Sequence, residues 1–239
     1  MTYWIGRIEP SMWFEGAWWQ EILPADVRLA VLSLGVQRLV DEDLERAHAA
    51  ILEKVEMLDR EGVDVINVGG SPVVSVHGRA GHERLLRDIA AITSRPFVTS
   101  LQAEIEGLRD AGAGRVAIAS PYPVRQTERR VDVLSEEGFA VVGHRSLDIE
   151  RTRDIAQLDP ERVRDLAVEV AEAHPEADVI YLPCGSLPVT GVIDAIERAT
   201  GRAVVTNVQA QIAASLRRIG YPRSVPGYGR LLEGIGAAA

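Results

Sequence analysis

Short apolar runs alternate along this chain with longer stretches in which apolar positions recur every three or four residues. The runs read as strands over Tyr3–Ile8, Val27–Leu34, Val63–Val68, Phe97–Thr99, Arg115–Ala119, Ala140–Gly143, Val179–Leu182 and Ala203–Thr206. The periodic stretches predict helices. One long amphipathic helix spans Asp41–Glu61, with Asp41 at its N-cap and Gly62 ending it. Others cover His82–Thr93 after a glycine-rich loop through Gly81, Leu101–Ala111, Val124–Glu137, Pro160–His174, Val189–Thr200 and Asn207–Ile219, the last capped by Asn207. Strand–helix alternation of this kind predicts an α/β architecture with parallel sheets.

The pattern is also duplicated. Asp64-Val65-Ile66-Asn67-Val68 returns as Asp178-Val179-Ile180-Tyr181-Leu182. Val98-Thr99-Ser100-Leu101-Gln102-Ala103-Glu104-Ile105 returns as Val205-Thr206-Asn207-Val208-Gln209-Ala210-Gln211-Ile212. Two separated blocks in the same order predict two similar halves. In that register Gly70 falls opposite Cys184, so both strand-end loops are expected in one cleft, the usual place for a small ligand.

Composition narrows the function. The formal charge of −9 and a pI near 5.1 leave no basic stripe for nucleic acid. No apolar run approaches the length that crosses a membrane, and Met1–Ile8 lacks a signal pattern. A single cysteine excludes an internal disulfide and fits a reducing cytoplasm. Five histidines without metal-type spacing predict no zinc site. Nucleotide-binding glycine motifs are missing as well.

The chemistry therefore centres on Cys184. It follows a short buried-type strand and sits on the turn Pro183-Cys184-Gly185-Ser186, the end of a parallel strand where α/β proteins bind ligands. Backbone N–H groups of such a turn bind anions and activate thiols; the alternative is a cysteine packed as a small apolar residue. Trp13, Phe14, Trp18 and Trp19 form an aromatic cluster, read as a packed flap or contact surface, or else as a wall for an apolar substrate. His77 and His82 read as surface residues, Tyr122 between two prolines as a turn pin or a ligand, and Ser71 as a cap or a ligand.

The strand ending in Cys184-Gly185, the stretch Glu197–Val205, the Tyr122 turn and the tail Pro226-Gly227-Tyr228-Gly229-Arg230-Leu231 together resemble the aspartate/glutamate racemase superfamily. Within it they resemble the maleate isomerase and arylmalonate decarboxylase group, most of all the decarboxylases. The resemblance implies two Rossmann-like α/β/α halves related by pseudo-twofold symmetry, residues 1–112 completed by 213–239 and residues 113–212, with the active site between them. Racemases and isomerases of this superfamily carry a cysteine in each half; decarboxylases keep glycine in the first, as at Gly70 here. The resemblance implies that Cys184 protonates an enediolate, that Gly70, Ser71, Tyr122, Gly185 and Ser186 bind a small carboxylate or dicarboxylate, and that no metal, thiamine or pyridoxal takes part. Departures are visible. Pro72 replaces a hydroxyl residue, the wall at Thr152 and Ile155 is flanked by Arg151, Arg153 and Asp154, and Ser11-Met12-Trp13 lacks the asparagine of maleate isomerases. A maleate isomerase, a racemase and a non-catalytic carboxylate binder remain as alternatives, and the oligomeric state is left open.

Overall fold

The computed structural model describes residues 2–13 and 15–235, so Phe14 and the final alanines lie outside the described residues. Two four-stranded parallel sheets organise the chain. The first joins β1 (Tyr3–Glu9), β2 (Val27–Ser33), β3 (Val65–Val68) and β4 (Phe97–Thr99) in the order β2-β1-β3-β4. The second joins β5 (Arg115–Ser120), β6 (Ala140–Ser146), β7 (Val179–Leu182) and β8 (Ala203–Thr206) in the equivalent order β6-β5-β7-β8. The fold is α/β. β3 and β7 are buried at every position, as a parallel strand covered on both faces requires.

The internal duplication has structural causes. Asp64 accepts the backbone N–H of Trp4 at 2.7 Å, and Asp178 accepts that of Arg115 at 2.8 Å. Each repeated aspartate thus pins the neighbouring central strand of its own sheet. Thr99 and Thr206 each cap a helix through a reciprocal box, with Gln102 and Gln209 respectively. These helices, α6 (Ser100–Asp110) and α11 (Asn207–Arg218), pack against each other.

Several elements depart from the expected pattern. The stretch 41–61 is two helices, α2 (Asp41–Ala49) and α3 (Ile51–Glu61). The break lies at Ala50, whose N–H bonds to Ala47 in a tighter three-residue turn. The break lets Leu44 face the loop helix α4 (Ser71–Val74) while Ile51, Val55 and Leu58 pack towards β1 and β3. Asp41 is the first helical residue rather than the cap; Val40 precedes it without a side-chain cap, and Asp41 instead pairs with Arg125 and Arg129. Residues 78–81 are not loop but the start of α5 (Gly78–Ile92). A Cβ at Gly81 would come within 2.3 Å of His77, so glycine there permits a close packing of the first turn. Asn207 does not cap α11; Thr206 does, leaving the Asn207 side chain free to bond elsewhere. The helix before β8 begins at Ile193, as α10 (Ile193–Thr200), and the tryptophan-rich segment forms an unexpected helix, α1 (Glu15–Ile22). The remaining helices are α7 (Val124–Glu136), α8 (Thr152–Ala156), α9 (Pro160–Ala173) and α12 (Arg230–Glu233).

His82 is buried on α5, with Nε2 2.8 Å from Thr99 Oγ1, and not on the surface as its loop position suggested. Burial, helped by nearby Arg130, pushes its pKa down to about 4. Between pH 6.5 and 4 the unfolded chain binds this proton and the folded chain does not, so folding stability falls as the pH drops through that window. The loss expected from His82 is on the order of 2 kcal/mol. Urea denaturation of wild type and His82→Gln at pH 7 and pH 4.5 checks it: the wild type should lose more stability than the variant, and equal losses would show that His82 is not the group responsible.

Candidate active site

In a parallel sheet the crevice forms at strand C-termini where neighbouring connections leave in opposite directions. Both sheets of this protein offer such a point. The ends of β1 and β3 supply Pro10, Ser11 and Gly70–Val73; the ends of β5 and β7 supply Tyr122 and Cys184–Ser186. All of these line one narrow cavity of about 30 Å³, together with Glu15, Asn207, Thr152, Val36, Leu39 and Leu44. Every residue named from the sequence as a site candidate, Gly70, Ser71, Tyr122, Cys184, Gly185 and Ser186, is therefore in one place. Gly70 and Cys184 also share a backbone conformation, with φ of +85° and +90°. That value is ordinary for glycine and strained for cysteine, and a strained residue held at a cavity is a mark of a working site.

Cys184 is 7% exposed. The neighbouring Ser186 N–H and the hydroxyls of Ser186 and Tyr122 favour a thiolate. Burial outweighs them, and the Glu15 carboxylate adds to it, so the thiol is pushed up to about 12 and rests protonated. Tyr122 is raised well above the usual phenol range, chiefly by burial, and likewise stays neutral.

Behind the cavity lie two buried polar clusters, one under each sheet. In the first, Arg7 of β1 is fully buried; it donates to Glu15 Oε2 at 2.7 Å and to Asn67 and Gln211, and it lies 4.6 Å from the Trp19 ring centre. A Cβ at Gly69 would fall 2.6 Å from the guanidinium, and one at Gly185 would fall 2.7 Å from the Glu15 carboxyl carbon. Glycine at both positions lets this ion pair approach the two loops. Glu15 is raised by burial, with Arg7 opposing, and Glu9 is raised to about 7 by burial and by Glu15.

In the second cluster Glu104 accepts from Ser71 Oγ at 2.6 Å and from Asn207 Nδ2, and lies 3.6 Å from Arg130. The Ser71 proton is thus directed to Glu104. α6 and α11 each send their fifth residue, Glu104 and Gln211, into the cluster beneath the other half's sheet.

Arg7, Glu15, Glu104, Asn207 and Arg130 were not among the residues singled out for the site. Two signals were present. Arg7 interrupts an otherwise apolar strand, and the repeat aligns Ser100-Glu104 with Asn207-Gln211. Trp19 is buried against Arg7, which answers part of the question about the aromatic cluster; Trp13 lies 5.4 Å from the Arg153 guanidinium. No helix among the described residues is long and apolar enough to cross a membrane, and no group of three or more His, Cys, Asp or Glu among them is placed to hold a metal.

A family model for arylmalonate decarboxylase matches residues 19–232. The arylmalonate decarboxylase of Bordetella bronchiseptica is 30% identical over 209 residues, covering 87% of each chain. A maleate isomerase of Pseudomonas putida is 31% identical over 187 residues, 75% of this chain and 73% of that one. Among solved structures, a liganded double mutant of arylmalonate decarboxylase superposes with a TM-score of 0.90 at 29% identity, covering 97% of this chain and 99% of that one. A maleate isomerase from another strain, Pseudomonas putida S16, superposes with a TM-score of 0.91 at 26% identity, covering 98% of this chain and 100% of that one.

Proposed function

The chain belongs to the arylmalonate decarboxylase family, and from that premise and the geometry of its cavity we propose that it is a cofactor-independent carboxy-lyase acting on a substituted malonate. The observation that carries the reading is one protonated thiol, Cys184, in a cavity whose symmetry-equivalent position is Gly70. Decarboxylation needs a single proton donor, because departure of carbon dioxide itself creates the carbanion. A two-base racemase needs a second group on the opposite face. Addition of sulfur to a cis-dicarboxylate, the isomerase alternative, needs a thiolate, which burial and Glu15 oppose here.

In this reading one substrate carboxylate sits against the turns at Gly70-Ser71 and Cys184-Gly185 and against Tyr122. The carbon–carbon bond to the other carboxylate breaks and its electron pair moves into the retained carboxylate as an enediolate. N–H and O–H groups of the turns stabilise that developing charge. The leaving carboxylate and the substituent face Val36, Leu39, Leu44 and Val73, where poor solvation favours loss of charge. Cys184 then gives its proton to the α-carbon. Pro72 removes one N–H from the first turn and Ser71 is committed to Glu104, so the donors come mainly from the second half and from backbone. The halves 1–112 with 213–239, and 113–212, are proposed as the units that meet around the substrate, and a reducing cytoplasm keeps the thiol free.

Incubation of the purified protein with 2-substituted malonates and with maleate, without added cofactor, tests the assignment. Carbon dioxide and a mono-acid are expected from at least one malonate. Fumarate from maleate with no carbon dioxide from any malonate would replace the decarboxylase reading with the isomerase one. Thermal stabilisation by a carboxylate without turnover would indicate a binding protein.

A further inference from the structure

The cavity is smaller than any ligand it serves. About 30 Å³ is the share of a single water molecule, and Cys184 in its wall is 7% exposed, so a dicarboxylate has to part the walls to enter. The turns that carry Ser71 and Cys184 are held by the two buried clusters. Val36, Leu39 and Thr152 instead belong to the loops that follow the edge strands β2 and β6. We propose that these two loops form a strap between the cavity and solvent, and that its opening is what admits a ligand to Cys184. The inference concerns any ligand of the cavity and does not depend on which reaction follows.

The two loops are built alike. The N–H groups of Leu34 and Val36 donate to the carbonyls of Glu9 and Pro10, and those of Leu147 and Ile149 donate to Ser120 and Pro121. Gly35 and Asp148 turn the chain through left-handed backbone, with φ of +72° and +57°. Each donates its N–H to a serine hydroxyl two residues back, Ser33 and Ser146. The tips then meet as equivalents. Arg38 faces Arg151 in an isolated antiparallel bridge. Leu39 N–H donates to the Glu150 carbonyl at 2.9 Å, and Thr152 N–H donates to that of Gln37 at 3.1 Å. Each of these bonds is the image of the other under the duplication, so the strap is a self-complementary contact.

The strap has an inner and an outer face. Val36, Leu39 and Thr152 are buried on the cavity side, while Gln37, Arg38 and Arg151 are exposed. Little holds it shut. Besides the two backbone bonds, the Thr152 hydroxyl lies 3.3 Å from the Val36 and Gln37 carbonyls, and Gln126 Nε2 lies 3.4 Å from that of Leu39. Arg38 pairs with Glu150 at 2.6 Å, but both are exposed, and such pairs contribute little. All of these contacts break without disturbing either sheet.

The bridge supplies its own test. Arg38 and Arg151 form a non-hydrogen-bonded antiparallel pair, whose usual Cα separation of about 4.5 Å suits a disulfide. Cys184 is the only cysteine of the chain, so the double variant Arg38→Cys with Arg151→Cys closes on mild oxidation and reopens with a reductant. Peptide mapping verifies the bond. The probe is iodoacetamide, and the readout is the rate at which Cys184 is alkylated at one fixed pH, after any reductant has been removed. Wild type and the reduced variant should label at rates within a few-fold of each other. The oxidised variant should label at least about tenfold more slowly, and reduction should restore the rate. Carbon dioxide release from the malonate that wild type decarboxylates should fall and recover in parallel. Labelling of the oxidised variant as fast as the reduced one overturns the strap as the gate. A disulfide that does not form overturns the pairing of the tips. Neither result touches the decarboxylase reading. Absence of carbon dioxide from wild type with every malonate overturns that reading alone, and the alkylation rates still decide the strap.

Discussion

Cys184→Ser is expected to lower carbon dioxide release by about 10²–10⁴-fold, the usual contribution of a positioned general acid. Serine fits the same turn and keeps a hydrogen-bonding side chain, so the left-handed backbone at residue 184 carries no new strain. A hydroxyl is a much weaker acid than a thiol, and in this buried site it would be weaker still, since the surroundings already push the thiol up to about 12. The carboxylate donors of the two turns are untouched. A malonate or mono-acid should therefore still raise the melting temperature of the variant. Turnover near the wild-type level would remove Cys184 from the chemistry. Loss of both turnover and ligand-induced stabilisation would mean that the cysteine shapes the cavity rather than supplying the proton.

Glu104→Ala should cost about 3–5 kcal/mol of folding stability, because it leaves Arg130 as a buried charge without its counter-ion. Glu104 and Arg130 are 0% and 3% exposed, and they come from different halves of the chain, α6 and α7. The same substitution also strands the Ser71 hydroxyl and the Asn207 amide, each of which donates to Glu104. For a chain of this size the melting temperature should fall by roughly 10 °C. The double variant Glu104→Leu with Arg130→Met replaces the pair by apolar groups of similar size and should recover much of that loss. A single variant that loses less than about 1 kcal/mol in urea denaturation would show that Arg130 finds adequate partners without Glu104.

The two clusters explain how one cavity is built from two sheets. Arg7 with Glu15 supports the Cys184 turn, and Glu104 with Asn207 supports the Ser71 turn. Each ties a strand-end loop to a helix that packs across the interface. Of the candidate residues, Ser71 changes most when placed in this frame. The sequence offered it as a cap or a substrate donor; its proton goes to a buried acid that the sequence did not single out.

What the sequence determined by itself is the part set by local periodicity and by covalent chemistry. Apolar runs and helical spacing specified the eight strands and most helices, because burial on one face or two leaves a pattern within a few residues. The repeat placed Gly70 and Cys184 at equivalent positions, and the lone thiol at a strand end pointed to the cavity that both of them line. Tertiary structure decided the rest. Arg7, Glu15, Glu104 and Arg130 read in sequence like any charges on a strand or helix, and only contacts between distant segments distinguish a buried ion pair from a solvated side chain. The break at Ala50 and the early start of α5 were likewise settled by packing, since helix interior and helix end differ there by one hydrogen bond that neighbouring elements tip. The acidity of Cys184 belongs to the same class. The turn it sits on favours a thiolate, but the desolvation and the Glu15 charge that outweigh the turn arrive from a helix on the other side of the cleft.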